Sequence, residues 1–130
     1  MRTAGVSEEK RRHVVGPVAD LPPGSHRVVE VAGREIGVFN IGGRIYGLPN
    51  RCPHQAGPVC TARVLTGTLR ADEGTDWRPQ WVHDGEVIAC PWHGLEFHVP
   101  TGRSLAYPRI RLRPYDVTVE DGEIVVWTRR

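Results

Sequence analysis

Two short stretches, Cys52-Pro53-His54 and Cys90-Pro91-Trp92-His93-Gly94, each combine one thiolate donor with one imidazole donor. Cys52 and His54 stand two residues apart, and Cys90 and His93 three, so a single turn can aim both donors of a pair at one place. Pro53 and Pro91 stiffen the loops, and Gly94 allows the backbone to fold close to a bound group. Two thiolates and two neutral imidazoles suit a [2Fe–2S] cluster with both sulfurs on one iron and both nitrogens on the other. Exchanging two thiolates for imidazoles makes such a cluster less negative, so it accepts an electron more readily. The same donors also suit tetrahedral zinc, although zinc sites more often use a Cys-x-x-Cys pair. Colour separates the two, because an iron–sulfur protein absorbs visible light and a zinc protein does not.

The elements that must position these loops read as strands. Residues 1–12 are polar and charged and are expected to form a flexible N-terminus. Residues 13–18 read as a first strand, followed by a turn at Leu21-Pro22-Pro23-Gly24. Residues 27–31 and 35–41 read as strands joined by a turn at Ala32-Gly33-Arg34. Alternation places Ile36, Val38 and Asn40 on one face of the second of these and Gly37, Phe39 and Ile41 on the other. Gly42-Gly43 gives a two-residue hairpin turn, and residues 44–48 return directly into the first ligand loop.

Beyond Cys60 the chain makes an excursion. Residues 64–69 read as a strand, 71–76 as a polar turn and 77–82 as a returning strand partly anchored by Trp77 and Trp81. Asp84-Gly85 reads as a further turn before a strand at 86–89 that delivers Cys90. Residues 95–99 follow the second loop, then a turn at Pro100-Thr101-Gly102 and a strand-like segment at 109–112. A hairpin closes the chain, with strands at 115–120 and 123–127 around Asp121-Gly122. No stretch carries a 3.6-residue apolar period, and neither repeat nor linker divides the sequence. The expectation is one all-β domain over residues 1–130, a sandwich of antiparallel sheets or a partly open barrel.

Composition narrows the function classes. Of 130 residues 39% are apolar and 25% charged, and the formal net charge is only +2, with no run of basic residues interleaved with aromatics. Arg109, Arg111 and Arg113 alternate, as one solvated strand face does, so no nucleic-acid partner is expected. No run approaches the roughly 20 apolar residues of a membrane span. The N-terminus lacks an apolar signal region, and three cysteines are too few and odd for a disulfide framework. A cytoplasmic, reducing location is expected. Cys60 is left over from the motifs and reads as a small buried hydrophobe rather than a reactive thiol. His13, His26, His83 and His98 read as surface or hydrogen-bonded histidines, with His98 close enough to the second loop to support it.

The Cys-Pro-His and Cys-Pro-Trp-His-Gly pair resembles the Rieske iron–sulfur family, in particular its soluble bacterial ferredoxin branch, and the likeness runs from His13 to Trp127. It implies one [2Fe–2S] cluster per chain, with Cys52 and Cys90 on the buried iron and His54 and His93 on the outer, solvent-facing iron. It also implies a small cluster-binding subdomain over about residues 49–107, with a Pro-containing third loop at Pro108 beside it; Trp92, from its place in the second loop, reads as a further cap. The excursion at about 61–84 is longer than most of the family shows. It either shapes partner docking or is a neutral surface hairpin.

Two departures bear on redox potential. The respiratory branch has an extra Cys in each loop, joined as a disulfide, where this chain has Gly57 and Trp92. That branch also places a Ser and a Tyr after its second motif, donating hydrogen bonds to sulfur, where this chain has Leu95 and Phe97. Fewer donors to sulfur disfavour the reduced cluster, so the expected potential is about −150 mV rather than about +300 mV. Exposed imidazole ligands would also make the potential fall as pH rises through the alkaline range.

The sequence shows no Ser–His–Asp set, phosphate loop or dinucleotide fingerprint, and 130 residues leave no room for the catalytic domain of a Rieske oxygenase. The resemblance therefore implies a one-electron carrier, not an enzyme. It would run between a flavin- and NAD(P)H-dependent reductase and a terminal oxygenase, docking transiently through Arg51, His54, Gln55, Trp92, His93, Pro108 and Arg109. The alternatives are a small subunit of a larger oxidoreductase such as a nitrite reductase and, from another class, a redox or iron–sulfur sensor.

Overall fold

One strand, β3 (Arg34–Ile41), separates two hydrophobic cores. The computed structural model describes residues 10–53, 57–61, 65–91, 94–107 and 109–129. Along β3, Ile36 and Val38 face a core completed by Leu21, Val31, Ile124 and Val126, whereas Phe39 faces a second core that contains both motif cysteines. The two-residue period of a strand thus sends alternate side chains into different cores, as the sequence alternation predicts. Asn40 lies on the first side, 4% exposed, with its amide donating to the Leu21 carbonyl at 2.7 Å.

The first core lies between two antiparallel sheets. One has the order β1-β10-β9, from β1 (Lys10–Pro17), β10 (Glu123–Arg129) and β9 (Asp116–Glu120). The other has the order β2-β3-β4, from β2 (His26–Val31), β3 and β4 (Arg44–Pro49). Each buried Val, Leu or Ile contributes about 1.5–3 kcal/mol relative to exposure. The turns Ala32-Gly33, Gly42-Gly43 and Asp121-Gly122 each join strands through two residues at positive φ, which matches the twist of the paired strands.

The second core is covered by a four-stranded sheet in the order β5-β6-β7-β8. Its strands are β5 (Thr66–Arg70), β6 (Gln80–Ala89), β7 (Glu96–His98) and β8 (Arg103–Ser104). The described residues thus form an all-β fold of three antiparallel sheets, an open arrangement and not a closed barrel. No helix among them is long and apolar enough to cross a membrane.

Four sequence expectations are corrected. Lys10, Arg11 and Arg12, placed in the flexible N-terminus 1–12, are strand residues of β1 paired with Arg129, Thr128 and Trp127. Trp77 and Trp81 anchor nothing in the core, being 67% and 54% exposed. Trp81 instead lies across Gly67 on the neighbouring strand, so close that a β-carbon there would stand 2.8 Å from its ring. Asp84-Gly85 is no hairpin turn but part of a bulge inside the ten-residue β6, where the register jumps from Thr68↔Val82 to Thr66↔Val87. Residues 109–112 form only an isolated bridge, Arg111 to Arg103, although burial still alternates along them. The excursion at 61–84 is otherwise a hairpin as expected, its tip closed by a short turn capped reciprocally by Asp72 and Thr75.

Candidate metal centre

β4 ends at Pro49 and hands the chain to Asn50, Arg51 and Cys52. Cys52 N–H donates to the Gly57 carbonyl at 2.7 Å, which also accepts from Val59 N–H at 2.9 Å, so the first loop closes on its own backbone. Asn50 holds the loop from beneath. It is 8% exposed, its Oδ1 accepts from Cys60 N–H at 2.7 Å, and its amide donates to Glu35 Oε1 at 3.1 Å. An Asn beside a Pro reads simply as a turn residue in sequence, so this clamp is visible only once Cys60 folds back beneath it.

β6 ends at Ala89 and delivers Cys90. Cys90 N–H donates to the Leu95 carbonyl at 2.9 Å, and Gly94 N–H donates to the Cys90 carbonyl at 2.7 Å. Gly94 adopts φ 72°, a left-handed conformation that favours glycine and closes this turn. The second loop therefore repeats the logic of the first: a strand end, a cysteine, and a carbonyl a few residues on that satisfies the cysteine's own N–H.

Cys52 and Cys90 are each 2% exposed and belong to one packed cluster with Phe39, Leu48, Val59, Phe97, Val99 and Leu112. Pro53 and Pro91, one residue further along each loop, are exposed. Each loop thus carries its sulfur in the core and reaches the surface immediately afterwards. Two buried cysteines in one packed cluster, each with its own N–H bonded to a carbonyl further along its loop, suit the sulfur half of a [2Fe–2S] site. His54 and His93, with Gln55, Trp92 and Pro108, lie outside the described residues. Of the expected docking face, Arg51 and Arg109 are described and exposed.

Cys60 does not join this pair as a donor. Its side chain is directed at the backbone, with Sγ 3.5 Å from the Pro49 carbonyl and 3.8 Å from that of Leu48. Burial pushes its pKa up to about 12, opposed in part by a backbone hydrogen bond at Gly37. It is therefore the small buried residue that the sequence suggests, held as a thiol. Gly57 and Leu95 act through their carbonyls, and Phe97 is fully buried beside the two cysteines.

The other histidines have structural partners. His13 Nε2 lies 2.9 Å from Thr128 Oγ1, and His26 stacks on Phe39 with ring centroids 5.2 Å apart. His98 contacts both Glu86 and Thr101.

The chain is similar to known proteins in sequence and in fold. The 3-phenylpropionate/cinnamic acid dioxygenase ferredoxin subunit of Escherichia coli is 31% identical over 111 residues, 85% of this chain and 87% of the relative. The ferredoxin of carbazole 1,9a-dioxygenase from Nocardioides aromaticivorans superposes with a TM-score of 0.67 at 28% identity, covering 88% of this chain and 95% of that one. A chain in the complex of reduced oxygenase and oxidized ferredoxin of carbazole 1,9a-dioxygenase gives a TM-score of 0.67 at 26% identity, covering 88% and 91%. The profile of the Rieske [2Fe–2S] domain matches residues 11–116, which span both loops and nearly every strand that supports them, and the chain belongs to that family.

Proposed function

We propose that this chain is a Rieske-type ferredoxin: a one-electron carrier that takes electrons from an NAD(P)H-dependent flavoprotein reductase and delivers them to a terminal oxygenase. The observation that carries the reading is the convergence of Cys52 and Cys90 in one core from two self-closed loops. Similarity to ferredoxin subunits of dioxygenases supplies the partner class. In this reading Cys52, His54, Cys90 and His93 hold one cluster per chain, which supplies a one-electron couple.

The chain's own residues do the rest. The core around Phe39, Phe97 and Leu112 excludes water from the sulfurs. The backbone bonds to Gly57 and Leu95 fix the two loops, so little rearrangement accompanies a change of charge. Pro53 and Pro91 bring the chain to the surface beside the sulfurs, where a partner can approach, with Arg51 and Arg109 nearby in sequence to the loops and Pro108. Residues 1–130 act as a single domain whose cluster-binding part spans about 49–107, in the cytoplasm. Substrate chemistry belongs to the oxygenase, and this chain is not itself an enzyme.

Electron paramagnetic resonance of the reduced protein tests the cluster, and relay assays test the role. The mixed-ligand signal is expected, together with oxygenase turnover that rises with added carrier. Failure of any reductase to reduce it and of any oxygenase to oxidise it would defeat the carrier reading. Migration as part of a larger native complex on size exclusion would instead favour a resident oxidoreductase subunit.

A further inference from the structure

The bulge in β6 gathers a second set of metal-binding side chains. Between the pairs Thr68↔Val82 and Thr66↔Val87, the single residue Gly67 of β5 faces four residues of β6, His83 to Glu86. The extra residues fold outward, with His83 at φ 55° and Gly85 at φ 74°. A histidine held in the left-handed region is an uncommon conformation, and bulges are places where a strand re-aims a side chain. Here the bulge turns His83 toward β7. Its ring lies 4.5 Å from that of His98, centroid to centroid, at a 51° tilt. Glu86 Oε1 lies 2.7 Å from His98 Nε2 and 3.7 Å from His83 Nδ1. One ligand atom from each of the three side chains falls within 4.8 Å of the other two.

The geometry points to a binding site for one divalent transition metal of the zinc class on His83, Glu86 and His98. Donors around a tetrahedral zinc at about 2.0–2.1 Å stand roughly 3.3 Å from one another. The present separations bracket that value, so small side-chain rotations suffice to admit the ion. Thr101 Oγ1, 3.0 Å from His98 Nδ1, can accept a hydrogen bond from Nδ1–H, which fixes the tautomer that leaves Nε2 free to bind metal. The backbone under two of the ligands is held, since Val99 N–H donates to the Glu86 carbonyl at 2.8 Å and Gly102 N–H to that of His98 at 2.7 Å. Asp84 is engaged elsewhere, accepting from Trp81 Nε1 at 2.8 Å, and stays out of the set. Two histidines and one carboxylate leave a fourth position open to water or to a donor from another molecule.

The site is distinct from the cysteine loops. His98 alternates with Phe97, so the two side chains leave opposite faces of β7, Phe97 toward the core that holds Cys52 and Cys90. The inference does not depend on the carrier role.

The test is equilibrium dialysis of tag-free, cluster-loaded protein against buffered zinc, with iron and zinc measured on the same sample. About one zinc per chain is expected while iron stays constant. His83→Gln and Glu86→Gln should each weaken zinc binding tenfold or more, Thr101→Val by about tenfold, and His13→Gln, on the far sheet, not at all. His83 is exposed, so its replacement should leave iron content and thermal unfolding unchanged. No zinc uptake, uptake matched by iron loss, or equal uptake by His83→Gln and Glu86→Gln would each overturn the site.

Discussion

Cys60 occupies the space that a side chain on Gly37 would need. A β-carbon on Gly37 would stand 2.5 Å from Cys60 Cβ and 2.6 Å from its Sγ. The leftover cysteine is thereby explained as packing: β3 lacks a side chain at this position so that the turn after the first loop can seat against it. Gly37→Ala is expected to destabilise the protein by about 1–3 kcal/mol, the usual cost of overfilling a packed core. Adding Cys60→Ala removes the Sγ contact but keeps the Cβ one, so it should restore only part of the loss. Urea midpoints of the two single variants and the double variant measure the coupling.

The same thiol gives the protein an alkaline limit. Folded Cys60 titrates at about 12 against an ordinary value of 9.0, because burial disfavours its charged form. Between these values the unfolded chain loses the proton and the folded chain keeps it, so ionisation favours unfolding. The contribution is fully retained below about pH 9 and falls by roughly 1.4 kcal/mol per pH unit as pH rises toward 12. Cys60→Ala should flatten this part of the stability profile. In the wild-type protein Cys60 should resist iodoacetamide at pH 8 until the protein unfolds.

The sequence makes some of this legible and hides the rest for identifiable reasons. Ile36, Val38 and Phe39 reveal their opposite faces because alternation along one strand is a local property. Both cysteine loops are legible because each carries its donors within a few residues. Asp84-Gly85 misleads because its local preference for a turn is overridden by pairing of the flanking residues, Val82 with β5 and Val87 with both β5 and β7. Trp81 misleads differently: it covers Gly67 from the outer side instead of entering the core. The His83–Glu86–His98 cluster depends on a register offset between strands, and Asn50 depends on the return of Cys60. Neither offset nor return leaves a periodic trace in the sequence.

Gly102 should be the least replaceable turn residue near the cysteines. A β-carbon on it would stand 2.0 Å from the Leu112 carbonyl oxygen, at a φ of 75° that already favours glycine. The same two residues are joined by Leu112 N–H donating to the Gly102 carbonyl at 2.7 Å. Leu112 is 2% exposed and packs in the core with Cys52 and Cys90. Gly102→Ala must therefore separate this segment from the turn, at a cost of about 3–5 kcal/mol. Visible absorbance followed at a fixed temperature should decay faster than in the wild-type protein, because the cover over the cysteine core opens.

Phe97 sets the expected redox level through what it lacks. It is fully buried in the cluster that contains both cysteines, and its ring has no donor to offer a sulfur. Leu95, partly buried against the same core, contributes its carbonyl to Cys90 N–H and likewise has no side-chain donor. The reduced state, which carries the extra electron, is thus left without side-chain hydrogen bonds from these two positions, and the wild-type potential should lie at about −150 mV. A measured value above zero would overturn that expectation. Phe97→Tyr places a hydroxyl in this packed region. Its hydrogen bond to cysteine sulfur should raise the potential by on the order of 60 mV, the one-electron equivalent of about 1.4 kcal/mol. A stability loss without a change in potential would show that the hydroxyl is buried unpaired, and that position 97 governs packing rather than electron affinity.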